Sequence, residues 1–139
     1  MSNHIYPIAC HDFLTGDIPW VSGTLKAALL NTGASYNSAN TIYGDVSAHQ
    51  EGTPVTLSSQ AVSAGAVASA GSATFSGVTA THVVHAIVLF IDPGAGGAQR
   101  LIAWWDTVVG LDLTATGADI TVDWNGTTPT GTIITAVGP

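Results

Sequence analysis

Charge is what this 139-residue chain has least of. Lys, Arg, Asp and Glu together make up 8% of it: two basic residues, Lys26 and Arg100, against nine acidic ones, for a formal net charge of -7. Two cations cannot neutralise the roughly six phosphates of an ordinary nucleic-acid footprint. Nor can they hold a protein on an anionic leaflet. No nucleic-acid or membrane partner is therefore expected. Cysteine occurs once, at Cys10, which excludes an internal disulfide and leaves a buried or idle thiol as the plain reading, with an intermolecular bridge as the other. No run approaches the 18 or so apolar residues of a membrane-spanning helix. Met1-Ser2-Asn3-His4 has neither the basic stretch nor the apolar stretch of a signal peptide, so synthesis in a cytoplasm is expected.

Helix formers are also scarce. Glu, Lys, Arg, Met and Gln total seven residues, while Thr, Val, Ile and aromatic residues recur throughout. Turn residues punctuate the chain at Asn31-Thr32-Gly33, Glu51-Gly52-Thr53-Pro54, Asp92-Pro93-Gly94, Gly96-Gly97 and Asn125-Gly126. Short strands between turns at this spacing predict an all-β fold, a single sandwich or barrel-like domain over 1–139 with long loops. An N-terminal arm, 1–17, contributes a short helical turn around His11–Thr15 that ends at Gly16. A strand is expected over Thr24–Leu30. Residues 31–52 read as a long polar excursion with one helical turn near Asp45, tacked to the core by Tyr36, Ile42, Tyr43 and Val46. Further strands are expected within 55–78. His82–Ile91, continuously apolar after its first residues, reads as a central strand covered on both faces. The Gly-rich loop 93–98 then turns the chain back into Arg100–Thr107. Asp119–Trp124 should alternate with Ile120, Val122 and Trp124 inward, and Thr132–Val137 should close the fold.

The chemical motifs of the common enzyme classes are missing. No glycine cradle precedes Lys26, no Gly-x-Gly-x-x-Gly opens a helix, and no Gly-x-Ser-x-Gly or Ser-x-x-Lys occurs. His82 and His85 would share a helix face but fall on opposite faces of a strand, so they form no metal pair; His4, His11 and His49 are scattered. The acids lack the clustered spacing of a calcium loop. Asp12 with Asp17, or Asp106 with Asp112, has the composition of a glycosidase pair, but solvated acids at turns are the simpler reading. No catalytic residue, metal or cofactor is therefore assigned, and no enzyme is expected. Trp104 and Trp105 are adjacent on one strand, so one should face inward and one outward, and an outward Trp suits a protein or sugar contact. Asp45 and Asp92, at the bases of the two long loops, complete the set of candidate partner-contact residues.

Several strings, in order, resemble a group of small structural virion proteins of tailed bacteriophages. The first is Gly16-Asp17-Ile18-Pro19-Trp20-Val21-Ser22-Gly23-Thr24-Leu25-Lys26-Ala27-Ala28-Leu29-Leu30. Tyr36-Asn37 and Asp45-Val46-Ser47-Ala48 follow. Then come Ala86-Ile87-Val88-Leu89-Phe90-Ile91-Asp92, Leu101-Ile102-Ala103-Trp104-Trp105-Asp106 and Ala118-Asp119-Ile120-Thr121-Val122-Asp123-Trp124. The likeness spans residues 11 to 137; it departs at Gly23, where the group carries an acid, and in the Ala/Ser/Gly tract 58–73. It implies a non-enzymatic virion component: first a capsid decoration (cement) protein on the head surface, second a minor tail or connector protein. The expected partners are a major capsid protein and further copies of this chain, as a trimer at threefold positions. A carbohydrate-binding β-module, using an exposed Trp, is the alternative from a different class. From charge alone, random duplex DNA mixed with micromolar protein at physiological salt should show no shift on a native gel.

Overall fold

The computed structural model describes residues 3–63, 67–108, 110–122, 124 and 130–135. The class is all-β, as expected. Among the described residues eleven strands are built around one antiparallel sheet in the order β1 (His4–Ile5), β8 (Leu101–Trp105), β7 (Val83–Ile91), β2 (Leu25–Asn31), β3 (Gln50–Thr56). A two-residue strand, β9 (Leu113–Thr114), extends this sheet by pairing with Val83 and Val84 of β7. Since β2 already occupies the other edge of β7 at Val84, β9 lies on the β8 side. Two smaller antiparallel sheets are β10 (Ile120–Val122) with β6 (Ala73–Phe75), and β11 (Thr130–Thr135) with β5 (Val67–Gly71) and β4 (Ala61–Val62).

Strand β7 is the centre. It pairs with β2 from Leu25↔Ile91 to Asn31↔Val84 and with β8 from Ile87↔Trp105 to Phe90↔Leu101. Residues directly opposite in an antiparallel pair point to the same face. One face therefore carries Ala28, Val88 and Trp104, and the other carries Leu29, Ile87 and Trp105. Both faces are covered, which is why β7 has no polar alternation after His85. On the Trp104 face, Tyr43 stacks on Phe90 at 4.0 Å between ring centroids, and Tyr36 lies 6.4 Å from Trp104. On the Trp105 face, Trp124 lies 5.3 Å away, and Ile120 and Val122 of β10 face Leu29 and Ile87 across a narrow hollow. The inward set of Ile120, Val122 and Trp124 is as the alternation predicts.

The excursion 31–52 is thus part of the core's cover. Ala34, Tyr43 and Val46 are buried, while Ile42 stays exposed. Its helical content is two 3-10 turns, Tyr43–Asp45 and Ser47–His49, and its last residues already belong to β3. Of the four side chains expected to tack it to the core, Tyr43 and Val46 are buried and Tyr36 packs against Tyr6 and Trp104, while Ile42 does not reach the core.

The helical turn near the N-terminus is longer than expected. Helix α1 runs Pro7–Thr15. Pro7 occupies the first turn, where its missing N–H costs nothing. Gly16 ends the helix at φ 80°, with Gly16 N–H directed to Phe13 O and Asp17 N–H to Asp12 O, the two bonds of a Schellman cap. The arm before it is not free, since His4–Ile5 forms the edge strand on β8.

The opposite edge, β3, contains Pro54, which cannot donate to a ladder and is tolerated only at an edge or bulge. Pairing slips between Ala27↔Val55 and Leu29↔Glu51, and the bulge holds Gly52 at φ 69°. A Cβ there would stand 3.0 Å from Val78 Cγ2, so both backbone conformation and space require glycine. The expected Asn125-Gly126 turn, Asp123, and the end of the closing strand at Ala136 and Val137 lie outside the described residues. Because Ile87 and Leu89 are buried on the same face of β7, Ile87→Ala or Leu89→Ala should each cost about 2–5 kcal/mol in chemical denaturation.

Candidate functional site

The four residues singled out as partner contacts are placed very differently from one another. Trp104 is completely buried, its indole beside Tyr36 under the excursion, so it presents no contact surface. Trp105 is on the opposite face as alternation requires, yet it is half-buried and packs against Trp124. The strand geometry was legible; the cover over both faces was not. Trp20 and Trp124 are buried as well, and their indole N–H groups donate to Ser69 O and Gly71 O, each at 3.1 Å, tying both side chains to β5 and its end. None of the four tryptophans offers the flat exposed platform that a sugar would stack on.

Asp45 is exposed, and its carboxylate accepts the N–H groups of Thr41 at 2.9 Å and Ile42 at 3.1 Å. Those two bonds hold its carboxyl below the usual range. Asp92 receives Lys26 Nζ at 2.8 Å and Gly94 N–H at 3.0 Å, and its carboxyl is lowered first by the Lys26 hydrogen bond and then by Gly94. Both acids stand at loop bases, as the sequence suggests, and both shape their own loop. Expected as groups that meet a partner's cations, their carboxylates are already engaged within the chain.

The second cation is also engaged. Arg100 Nη1 lies 3.6 Å from Oδ2 of Asp12, a fully buried helix residue whose Oδ1 meets His11 Nδ1 at 3.0 Å. Every Lys and Arg of the chain therefore faces an acid of its own. Sequence reasoning missed a further network. Glu51 of β3 is buried; its Oε1 accepts Asn31 Nδ2 at 3.0 Å and its Oε2 meets His82 Nδ1 at 2.8 Å. Burial pushes this carboxyl up, but the bonds from His82 and Asn31 and the charge of His82 outweigh it, so its pKa is lowered. His85, three residues on, pairs with Asp112 at 2.6 Å. The two histidines thus serve separate acids, as their strand spacing implies. The missed signal was a lone Glu in a chain nearly free of charge, at a position its strand buries.

Of the four acids in the glycosidase reading, three are occupied within the chain, Asp12 by His11 and Arg100, Asp17 by the Thr15 hydroxyl at 2.7 Å and Asp112 by His85, whereas Oδ1 of Asp106 is buried without a hydrogen-bond partner. Among the described residues no group of three His, Cys, Asp or Glu is placed to hold a metal ion. The Cys10 thiol is exposed and free. Burial pushes the Tyr43 phenol up to about 12, and burial, with Tyr36 and Asp45 nearby, raises Tyr6 as well.

The remaining surface is mostly small and polar, with scattered acids such as Asp119. Loop 93–98 is exposed throughout and braced by Gly97 N–H to Gly94 O. The stretch Thr116–Ala118 is exposed likewise, and Leu14 and Val21 are the most exposed large apolar side chains. Comparison with known proteins finds no matching family model, no matching curated protein and no matching solved structure.

The lowered carboxyls fix the sign of the pH dependence. A group whose pKa falls on folding stabilises the fold above its unfolded pKa, and that contribution is lost as pH falls through the folded value. The melting temperature should therefore hold from pH 7 to about 5 and drop below about pH 4. Glu51→Gln should flatten the drop in thermal melts recorded across that range.

Proposed function

We propose that this chain is a non-enzymatic structural protein of a tailed-bacteriophage virion, and that it decorates the head shell as a cement protein. The observation that carries the reading is where the family-like strings fall in the fold. Gly16-Asp17 closes the helix cap, and Trp20 and the strand after it enter the core. Ala86–Asp92 is the end of the central strand with the base of its loop, and Leu101–Asp106 is its neighbour. The apolar residues of these strings are mostly framework residues, and exposed loops lie between them.

The surface supports the same reading. A face of Thr, Ser, Ala and Gly loses little side-chain entropy when a neighbour covers it. With both cations neutralised internally, few strongly hydrated groups must be stripped of water at a contact. Loop 93–98 is the natural contact with a major capsid protein. A trimer at threefold positions is the assembly that closed symmetry favours. A minor tail or connector role uses the same frame at another place in the virion. The carbohydrate-binding alternative, which uses an exposed Trp and scattered acids, is less favoured, since Trp104 is buried and Trp105 is half-buried against Trp124.

Purified protein added to heads that lack it should bind them and raise the temperature at which they release DNA, since a ligand of the intact shell stabilises it. Binding to tails alone would move the assignment to the minor tail role. Binding to neither would overturn the virion reading.

A further inference from the structure

Proteases nick a folded chain first at exposed connections, and the connections of this chain hold nothing that a protease specific for Lys or Arg can use. The segments 32–49, 57–60, 92–99 and 106–119 contain neither residue, and helix α1 contains neither. The two cations of the whole chain stand in or against the central sheet, Lys26 within β2 and Arg100 immediately before β8. We infer that the fold carries a built-in guard against trypsin-like serine proteases: the two bonds such an enzyme can cut are both locked into the central sheet, and cleavage waits for that sheet to open.

The first bond follows Lys26. Lys26 pairs with Thr56 of β3 on one side and Phe90 of β7 on the other, and Ala27 pairs with Val55 and Leu89. The second bond follows Arg100. Its carbonyl accepts Ile91 N–H at 3.0 Å, and Leu101 N–H donates to Thr41 O at 3.0 Å, so both polar groups of the bond are held. The side chains add a second obstacle. A trypsin-like pocket recognises its cation with a carboxylate. Here Lys26 Nζ already lies 2.8 Å from Asp92, and Arg100 Nη1 lies 3.6 Å from the fully buried Asp12. Loops open locally at little cost, whereas central strands open with the whole domain. The guard therefore has the strength of the global fold. It holds for any role of the chain, in a virion or elsewhere.

The full chain incubated with trypsin and followed by intact mass should be cut at least about a thousandfold more slowly than unstructured peptides covering 22–31 and 96–105, because only the unfolded fraction is open to the enzyme. Leu89→Ala should speed cutting at both sites about thirtyfold or more, and Ile87→Val, the milder variant should the first not fold, by a few fold. A chain with Gly-Ser-Gly-Lys-Gly-Ser-Gly inserted after Ala95, in the exposed loop, should be cut within the insert alone and far faster than the parent. Cutting of the parent after Lys26 or Arg100 at a rate near that of the peptides would overturn the inference, as would a rate that both destabilising variants leave unchanged. An insert that resists the enzyme as well as the sheet does would also overturn it, since protection would then not depend on where the cations stand.

Discussion

The pairing of β7 with β2 along nearly its whole length is the constraint on which the rest depends. Seven residues of β2 face β7, and both strands are buried on both faces. A strand with two apolar faces must be covered twice, and a chain of 139 residues has few elements with which to do it. One cover is the small β6–β10 sheet together with Trp124. The other is the irregular segment 33–49, which contributes side chains rather than regular structure. The long excursion is therefore a requirement of the central strand as much as a loop between β2 and β3.

Scarcity of charge has a second consequence. With so few ionisable groups, several of them carry a local structural duty. Asp92 and Lys26 fix the base of a loop, Asp12 and Arg100 join α1 to the chain leading into β8, and Glu51 links β3 to the ends of β2 and β7 through Asn31 and His82. These are contacts of position, not a reservoir of surface electrostatics.

The sequence reveals those parts of the fold whose cause is local. The β7–β8 hairpin follows from an apolar run, an Asp-Pro-Gly turn and a second apolar run. The αL cap follows from Gly16, and the inward set of β10 from strict alternation. The start of α1 was hidden because Tyr6 provides no side-chain cap and only Pro7 marks it. The β4–β5–β11 sheet was faint because its strands are written largely in Ala, Ser, Gly and Thr, which carry little periodic contrast. The burial of Trp104 was beyond local pattern, since it depends on Tyr36, nearly seventy positions away in the chain. The same holds for Glu51 with His82: two strands must first be placed before an acid and an imidazole can meet.

The glycine-rich connection between β7 and β8 carries one further consequence. Its two ends are clamped by Ile91 N–H to Arg100 O at 3.0 Å, by Asp92 N–H to Thr24 O at 2.8 Å and by the Asp92–Lys26 pair, while its tip touches nothing that the sheet requires. Closing a longer loop between fixed ends costs only about 0.6 kcal/mol for each doubling of its length. The connection is accordingly a place where foreign peptide can be inserted and presented outward, with the strands on either side keeping their register.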